Sequence, residues 1–161
     1  MKRKVNISYG SAIFTMLVYI ILIGIVYWMM SADYADGWVL GALILTALIA
    51  LVGLIYCPLS LSADEEGIVI NRSLMRKRIY YKDIVALEDV TPTMGEKVIL
   101  GSRGFMGYWG WYSEKSVGRY FAYYGMASQS FLVRLTDGRQ YMLGCTDTPS
   151  MKEFIRRHLN H

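Results

Sequence analysis

The chain has 161 residues, with 17 Lys and Arg against 13 Asp and Glu and a formal net charge of +4. A chain of this length holds one compact folded unit plus small additions, which excludes a large multidomain protein. The mean hydropathy is +0.29, and almost all of the apolar excess lies before Pro58. The sequence therefore divides into an apolar N-terminal part and a more polar remainder.

Two N-terminal runs lack any charged residue, one from Ala12 to Met30 and one from Trp38 to Cys57. Each has about 20 residues, which as a helix rising roughly 1.5 Å per residue covers the ~30 Å hydrocarbon core of a bilayer. The pattern predicts two transmembrane helices, at about 12–30 and 38–57, joined into a hairpin by a short loop. The absence of ionisable residues inside both runs argues against an ion or proton pathway.

The first run has a second interpretation, a cleaved signal peptide, because the letters MKRK supply a basic segment ahead of it. The run is longer than the apolar part of a usual signal peptide, and residues 31–37 lack the paired small residues of a cleavage site. A retained anchor is therefore the favoured interpretation.

Basic residues flank the two runs on one side only. Lys2, Arg3 and Lys4 precede the first run and further basic residues follow the second from Arg72 onward, whereas residues 31–37 include neither Lys nor Arg. Cytoplasmic flanks of membrane helices carry an excess of Lys and Arg. Both termini are therefore predicted to be cytoplasmic.

Small side chains recur along the second run, at Ala42, Thr46, Ala50 and Gly53. Such a stripe lets two helices approach closely. Packing within the hairpin is the favoured interpretation, and a dimer interface is the alternative.

After Pro58 the sequence changes to short alternating segments separated by turn residues. They predict an antiparallel meander of about six or seven strands. Asp137 and Gly138 predict a two-residue turn between SFLVRL and RQYMLG. In SFLVRL, the period of two places Phe131, Val133 and Leu135 on one face.

The chain closes with a predicted amphipathic helix. Thr148 is expected to cap it, because Pro149 follows at a position that suits the first turn of a helix. The apolar side chains Met151, Phe154, Ile155 and Leu159 form one stripe, which must be buried against the strands.

Taken together, five segments that follow the apolar runs resemble one family. They read LSLSADEEGIVINR, RIYYKDIVALEDV, GFMGYWG, TDGRQYMLG and TPSMKEFIRRHL. In this order they are similar to membrane-anchored bacterial pleckstrin-homology-like (PH-like) domains, over most of residues 58–160. The resemblance implies a membrane-anchored α+β protein. A transmembrane hairpin would occupy residues 1–57, and a mainly antiparallel seven-stranded sandwich or barrel capped by a helix would occupy residues 58–161.

The resemblance also implies a multi-pass protein of the bacterial inner (cytoplasmic) membrane. It implies no activity, because folds of this kind are platforms on which different sites are placed. Some members assemble into rings through strand edges, so self-assembly is one expectation.

The residues give no support to an enzyme. The two histidines, His158 and His161, lie at the C-terminus, and no metal-ligand spacing or nucleophile motif is present in the sequence. The adjacent Glu65 and Glu66 would point to opposite sides of a strand. No catalytic residue, metal or cofactor is predicted.

Residues 101–112, GSRGFMGYWGWY, form a glycine–aromatic stretch. In one interpretation the glycines allow tight turns and the aromatic rings fill a core. In the other, the large side chains form an interaction surface near the membrane. The glycines are Gly101, Gly104, Gly107 and Gly110, and the candidate surface residues are Phe105, Met106, Tyr108, Trp109, Trp111 and Tyr112.

The basic run Arg76, Lys77 and Arg78 has two interpretations as well. Alternation sends Lys77 to the opposite face from the two arginines, so the run is either a charged edge strand or a lipid-facing patch. The favoured hypothesis is a binding or assembly module that contacts the lipid bilayer and recruits an unknown protein partner or a second copy of itself. Peripheral sensing of anionic lipid is the alternative, and no nucleic-acid partner is predicted.

Overall fold

The structure is a computed structural model that describes residues 1–32, 34, 36–93 and 95–159. It contains three α-helices, two short 3-10 helices (Tyr81–Asp83 and Ala127–Gln129) and ten strands within these ranges. In chain order the α-helices and strands are β1 (Lys2–Lys4), α1 (Tyr9–Ser31), α2 (Asp36–Tyr56), β2 (Pro58–Ala63), β3 (Gly67–Arg72), β4 (Arg76–Tyr80), β5 (Ile84–Glu88), β6 (Lys97–Gly104), β7 (Gly107–Glu114), β8 (Gly118–Tyr124), β9 (Ser130–Leu135), β10 (Gln140–Gly144) and α3 (Thr148–Leu159).

The two apolar runs form α1 and α2, which have 23 and 21 residues. Ser8 caps α1, its hydroxyl oxygen accepting a hydrogen bond of 3.2 Å from the backbone N–H of Ser11. Most of the apolar side chains on both helices are exposed. Both helices are long and apolar enough to cross a membrane, and a lipid environment would cover the surface that the protein leaves bare.

The strands form two sheets. The first has the order β1-β2-β3-β4 and the second has the order β5-β9-β10-β8-β7-β6. Every pairing is antiparallel except that of β8 with β10, which is parallel. The mainly antiparallel sandwich with a C-terminal helix is confirmed. The simple meander of six or seven strands is wrong, because the β9–β10 hairpin lies between β5 and β8 in the second sheet.

The larger core lies between the sheets and is closed by α3. Phe131, Val133 and Leu135 share a buried face, as the alternation predicts, and Met151 and Ile155 of α3 are fully buried in the same core. Asp137 and Gly138 lie in the turn between β9 and β10 as predicted, but the loop has three residues, 136–138, because the backbone N–H of Leu135 donates a hydrogen bond of 2.9 Å to the carbonyl oxygen of Arg139.

The start of α3 differs from the prediction in its hydrogen bonds. The helix begins at Thr148, but the Thr148 hydroxyl donates to the carbonyl oxygens of Cys145 and Gln129, at 2.8 and 3.1 Å. Thr148 therefore ties the helix to the sheet instead of capping its backbone N–H groups.

The N-terminal strand β1 has no counterpart in the sequence prediction, because three consecutive basic residues show no strand periodicity. Lys2 and Lys4 lie opposite Ser62 and Ser60 of β2, and the guanidinium of Arg3 pairs with Asp147 at 2.7 Å. Thus the chain starts in the sheet, continues into α1, and returns through α2 to the neighbouring strand. Consequently, the two ends of the helical hairpin leave it on the same side.

We predict that Gly125→Ala loosens β1 from the domain. A Cβ at Gly125 would lie 2.0 Å from the carbonyl oxygen of Asn6, and backbone cannot yield cheaply, so unfolding should become easier by about 1–3 kcal/mol. Gly95→Ala is the control, because its Cβ would lie 3.6 Å from its nearest neighbour. Thermal unfolding in detergent and hydrogen exchange of residues 2–8 measure the change. Equal effects of the two variants would contradict it.

Candidate functional site

The glycine–aromatic stretch forms the β6–β7 hairpin, and its tip docks between α1 and α2. The tip consists of Phe105 and Met106, where the chain reverses between the two strands. The backbone N–H of Met106 donates a hydrogen bond of 2.9 Å to the hydroxyl of Thr15 on α1. The Phe105 ring lies 5.6 Å from the ring of Tyr19, further along the same helix. The tip therefore reaches beyond the first turn of the first candidate membrane span.

The second helix accommodates the same tip at Gly53, which is buried. A Cβ at this position would lie 2.6 Å from Met106 Sδ and 2.7 Å from Phe105 Cε1. The small-residue stripe of the second helix therefore ends in a docking site for the domain. From the sequence, this stripe was interpreted only as packing within the helical hairpin or as a dimer interface.

A second contact joins the domain to the end of α2. The Trp109 ring stacks on Tyr56 with a centroid separation of 5.2 Å and an interplanar angle of 14°. The Trp109 indole N–H donates a hydrogen bond of 2.9 Å to the carbonyl oxygen of Phe105. A single indole therefore both braces the hairpin tip and packs against the helix.

The glycines of this stretch have backbone roles. Gly101 and Gly110 face each other across the hairpin, and a Cβ on either would approach a carbonyl oxygen of the opposite strand to 2.2 or 2.3 Å. Gly104 and Gly107 close the turn, both with positive φ. Gly101 and Gly110 thus allow the two strands to approach each other closely, and Gly104 and Gly107 allow the chain to reverse direction between them.

The six candidate surface residues occupy intramolecular contacts. Phe105, Trp109 and Tyr112 are buried, and Met106, Tyr108 and Trp111 are half-buried. Part of the stretch fills the junction between domain and helices, an arrangement that combines the core and membrane-proximal interpretations. A contact with a partner through these side chains stays a prediction.

The basic run on β4 is divided among three environments. Arg76 is exposed beside the β3–β4 turn. Lys77 faces inward, where its ammonium donates a hydrogen bond of 2.7 Å to the hydroxyl of Tyr141. Arg78 pairs with Asp64 at 3.0 Å and also with Glu66. Of the three, only Arg78 pairs with a carboxylate among the described residues.

Sequence reasoning missed a larger basic groove. It lies between β1, β2 and the β3–β4 turn, has a volume of about 620 Å³, and carries the cationic side chains Lys2, Lys4, Arg72 and Arg76. The sequence signals were present in MKRK and NRSLMRK. They could not be combined, because the pairing of β1 with β2 brings together segments that are about 70 positions apart.

Sequence reasoning also missed a buried carboxylate, Glu96, just before β6. Tyr120 and Tyr124 donate hydrogen bonds to it, the latter at 3.1 Å, and Arg103 lies 3.5 Å away. Burial, and then the neighbouring Glu96, raises the pKa of both tyrosines, so their hydroxyls remain protonated donors. A lone Glu in a loop carries no signal that would reveal this cluster.

The remaining candidate chemistry is structural. His158 packs against the rings of Tyr81 and Phe154, and His161 lies outside the described residues. Cys145 is buried, and burial raises the pKa of its thiol to about 11, so a reactive thiolate is disfavoured at neutral pH. Within the described ranges, no three His, Cys, Asp or Glu side chains cluster as metal ligands.

We predict that Gly53→Leu displaces the hairpin tip and destabilises the protein by about 1–3 kcal/mol, because a larger side chain would overlap Phe105 and Met106. Gly41→Leu on the same helix is the matched control, since Gly41 has no neighbour within 4 Å of its Cβ position. Thermal unfolding in detergent, with hydrogen exchange at residues 104–107, measures both effects. Normal protection of the tip in Gly53→Leu would rule out the docking.

We also predict that Glu96→Ala costs about 1–3 kcal/mol of stability, because it leaves buried hydroxyl donors of Tyr120 and Tyr124 without their acceptor. Glu96→Gln should cost less, since its amide oxygen still accepts. Denaturant unfolding of the full chain in detergent provides the comparison. Equal losses in the two variants would contradict an acceptor role.

The fold agrees with a match to a known protein family. The family model described as "Bacterial PH domain" matches residues 59–159, which extend from β2 to the end of α3. No curated protein and no solved structure matches the chain. Since the matched region covers more than half of the chain and contains both sheets apart from β1, the chain belongs to the bacterial PH domain family.

Proposed function

We propose that the chain is a non-catalytic assembly module of the bacterial inner membrane, with both termini in the cytoplasm. The two candidate spans support membrane anchoring. Lys2, Arg3 and Lys4 before α1, and the basic residues after α2, support the orientation through the positive-inside bias. The bacterial PH domain supports a binding or assembly role.

The observation that carries this proposal is the apolar edge strand β6. Val98, Ile99 and Leu100 are exposed by 39%, 47% and 72% of their surface, and β6 is the outermost strand of its sheet. Among the four edge strands that the structure describes, β6 alone has three consecutive exposed apolar residues, whereas β1 and β4 consist largely of basic residues. A bulge between Val98 and Leu100 makes apolar side-chain contact the main expected mode of association.

The proposed partner is a second copy of this chain. Leu100 lines a cavity with Val52 and Tyr56 of α2, so the apolar part of β6 lies beside the anchors. Any chain that covers it must present apolar surface at the same height above the membrane. A second anchored copy offers β6 itself at that height, and a self-complementary contact of this kind is typical of two-fold dimers.

We predict that Leu100→Lys weakens self-association about tenfold or more, because the substituted residue removes apolar burial and adds a like charge on both copies. Two differently tagged full-length copies are co-purified in mild detergent. Val85→Lys is the matched control, since Val85 is a similarly exposed residue, at 67%, on the opposite edge strand β5. Failure of wild-type copies to co-purify, or equal losses in the two variants, would contradict this proposal.

A second candidate function is the binding of anionic lipid by the same domain. It is supported by the basic groove, where Lys2, Lys4, Arg72 and Arg76 converge near the ends of the two helices. Unlike the basic run Arg76–Arg78, these side chains come from two segments that share one concave surface.

A further inference from the structure

We infer that the basic groove binds the phosphate headgroup of an anionic phospholipid in the leaflet that faces the domain. The groove lies between β1, β2 and the turn that joins β3 to β4. The inference rests on the second candidate function, lipid binding, and is independent of self-association through β6.

The groove lies at the junction of the domain with its anchors. Arg72, at the end of β3, is paired with Pro58, which is two positions beyond the end of α2 at Tyr56. Lys4, on the opposite wall, precedes the start of α1 at Tyr9 by five positions. When the two helices span a bilayer, both walls therefore stand at the level of the lipid headgroups.

The cationic groups of the groove lack carboxylate partners. No Asp or Glu lines it, and Lys2, Lys4, Arg72 and Arg76 form no ion pair within the described part of the chain. Neighbouring Arg3 and Arg78, by contrast, are paired with Asp147 and Asp64. The concave surface thus gathers four cationic side chains that have no carboxylate partner in the described part of the chain.

Arg72 lies at the edge of the groove, and aromatic rings that do not line the groove hold its guanidinium. Its guanidinium lies 5.8 Å from the Tyr56 ring centroid and 5.6 Å from that of Tyr123, and it donates a hydrogen bond of 3.4 Å to the Tyr123 hydroxyl. Its Nε is buried without a hydrogen-bond partner. The guanidinium is therefore held by Tyr56 and Tyr123, neither of which lines the groove, so Arg72 adds positive charge at the edge of the groove while Lys2, Lys4 and Arg76 supply its exposed cations.

The rim of the groove is apolar. Leu59, Leu74 and Met75 line it and are exposed by 48%, 61% and 53%. An exposed leucine and methionine at the tip of a turn would insert into the headgroup and acyl boundary, while the adjacent cations remain at the phosphates. The floor adds polar groups, with the Asn71 amide donating a hydrogen bond of 3.2 Å to the Ser60 hydroxyl.

This combination selects a phospholipid over a free anion. A free phosphate would use the cations but not the apolar rim, whereas a lipid uses both. A lipid is also supplied at high local concentration, because the groove is tethered beside the membrane by α1 and α2.

The test titrates the full-length chain in mild detergent with phosphatidylglycerol, phosphatidylcholine or glycerol phosphate, and measures bound lipid by native mass spectrometry. Phosphatidylglycerol should bind best, and less at high salt. The double variant Lys4→Gln/Arg76→Gln should weaken phosphatidylglycerol binding about 25-fold, because each basic residue near an anionic surface contributes about fivefold to the affinity. Both side chains are exposed, so the thermal stability should be unchanged.

Two further variants make the outcome decisive. The variant Lys115→Gln/Arg119→Gln removes the same charge from exposed positions near the β7–β8 turn, which lies at the end of β7 away from the hairpin tip. It should leave lipid binding intact. Leu74→Ser/Met75→Ser should weaken phosphatidylglycerol while leaving any glycerol phosphate binding unchanged. Equal losses in the two glutamine pairs, no preference over phosphatidylcholine, or glycerol phosphate binding as tight as the lipid would each overturn the site. Self-association measured in the same samples tests the β6 proposal separately.

Discussion

Docking of the β6–β7 tip between α1 and α2 is the contact on which the rest of the architecture depends. It joins a β domain to two helices whose own surfaces are largely bare of protein contact. Three features of different chemistry combine there: the missing side chain at Gly53, the hydroxyl of Thr15, and the stack of Trp109 on Tyr56. Each adds a modest energy, and together they restrict motion at the joint between the helices and the domain.

The entry and exit of the helical hairpin reinforce that joint. Since β1 and β2 are paired neighbours, the chain passes from sheet to α1 and from α2 back to the sheet without a flexible linker. A domain fastened at a strand pair, an aromatic stack and a hairpin tip cannot turn freely over the membrane. Its orientation relative to the two helices is therefore part of the fold.

Because the orientation is fixed, the positions of exposed apolar and basic side chains relative to the helices are fixed as well. Exposed Leu74 and Met75 on one sheet, and Leu100 on the other, all lie beside the anchors. The cations of the groove, which have no carboxylate partner among the described residues, lie with Leu74 and Met75, whereas Arg78 and Arg139, farther along the strands, pair with nearby carboxylates. The domain thus places apolar and basic groups where lipid or a second anchored copy can cover them. This division explains why one basic run, Arg76–Arg78, contains both a free and a paired arginine.

The sequence by itself determined the parts that depend on local pattern. Uncharged runs of helical length identified α1 and α2, alternation identified the face of Phe131, Val133 and Leu135, and Asp137–Gly138 identified the hairpin between β9 and β10. These properties depend on neighbouring residues, because periodicity and turn chemistry act over a few positions. The resemblance to PH-like domains also rested on local segments, and the family match over residues 59–159 confirms it.

Tertiary structure alone decided what distant segments do together. The strand formed by MKRK, the parallel pairing of β8 with β10, and the cluster of Glu96 with Tyr120 and Tyr124 depend on groups separated by tens of residues. Nothing in the sequence around Gly53 or Phe105 indicates that these two residues are in contact. Such contacts form because the folded chain must fill space and satisfy buried polar groups, constraints that act on three-dimensional neighbours and leave no periodic trace.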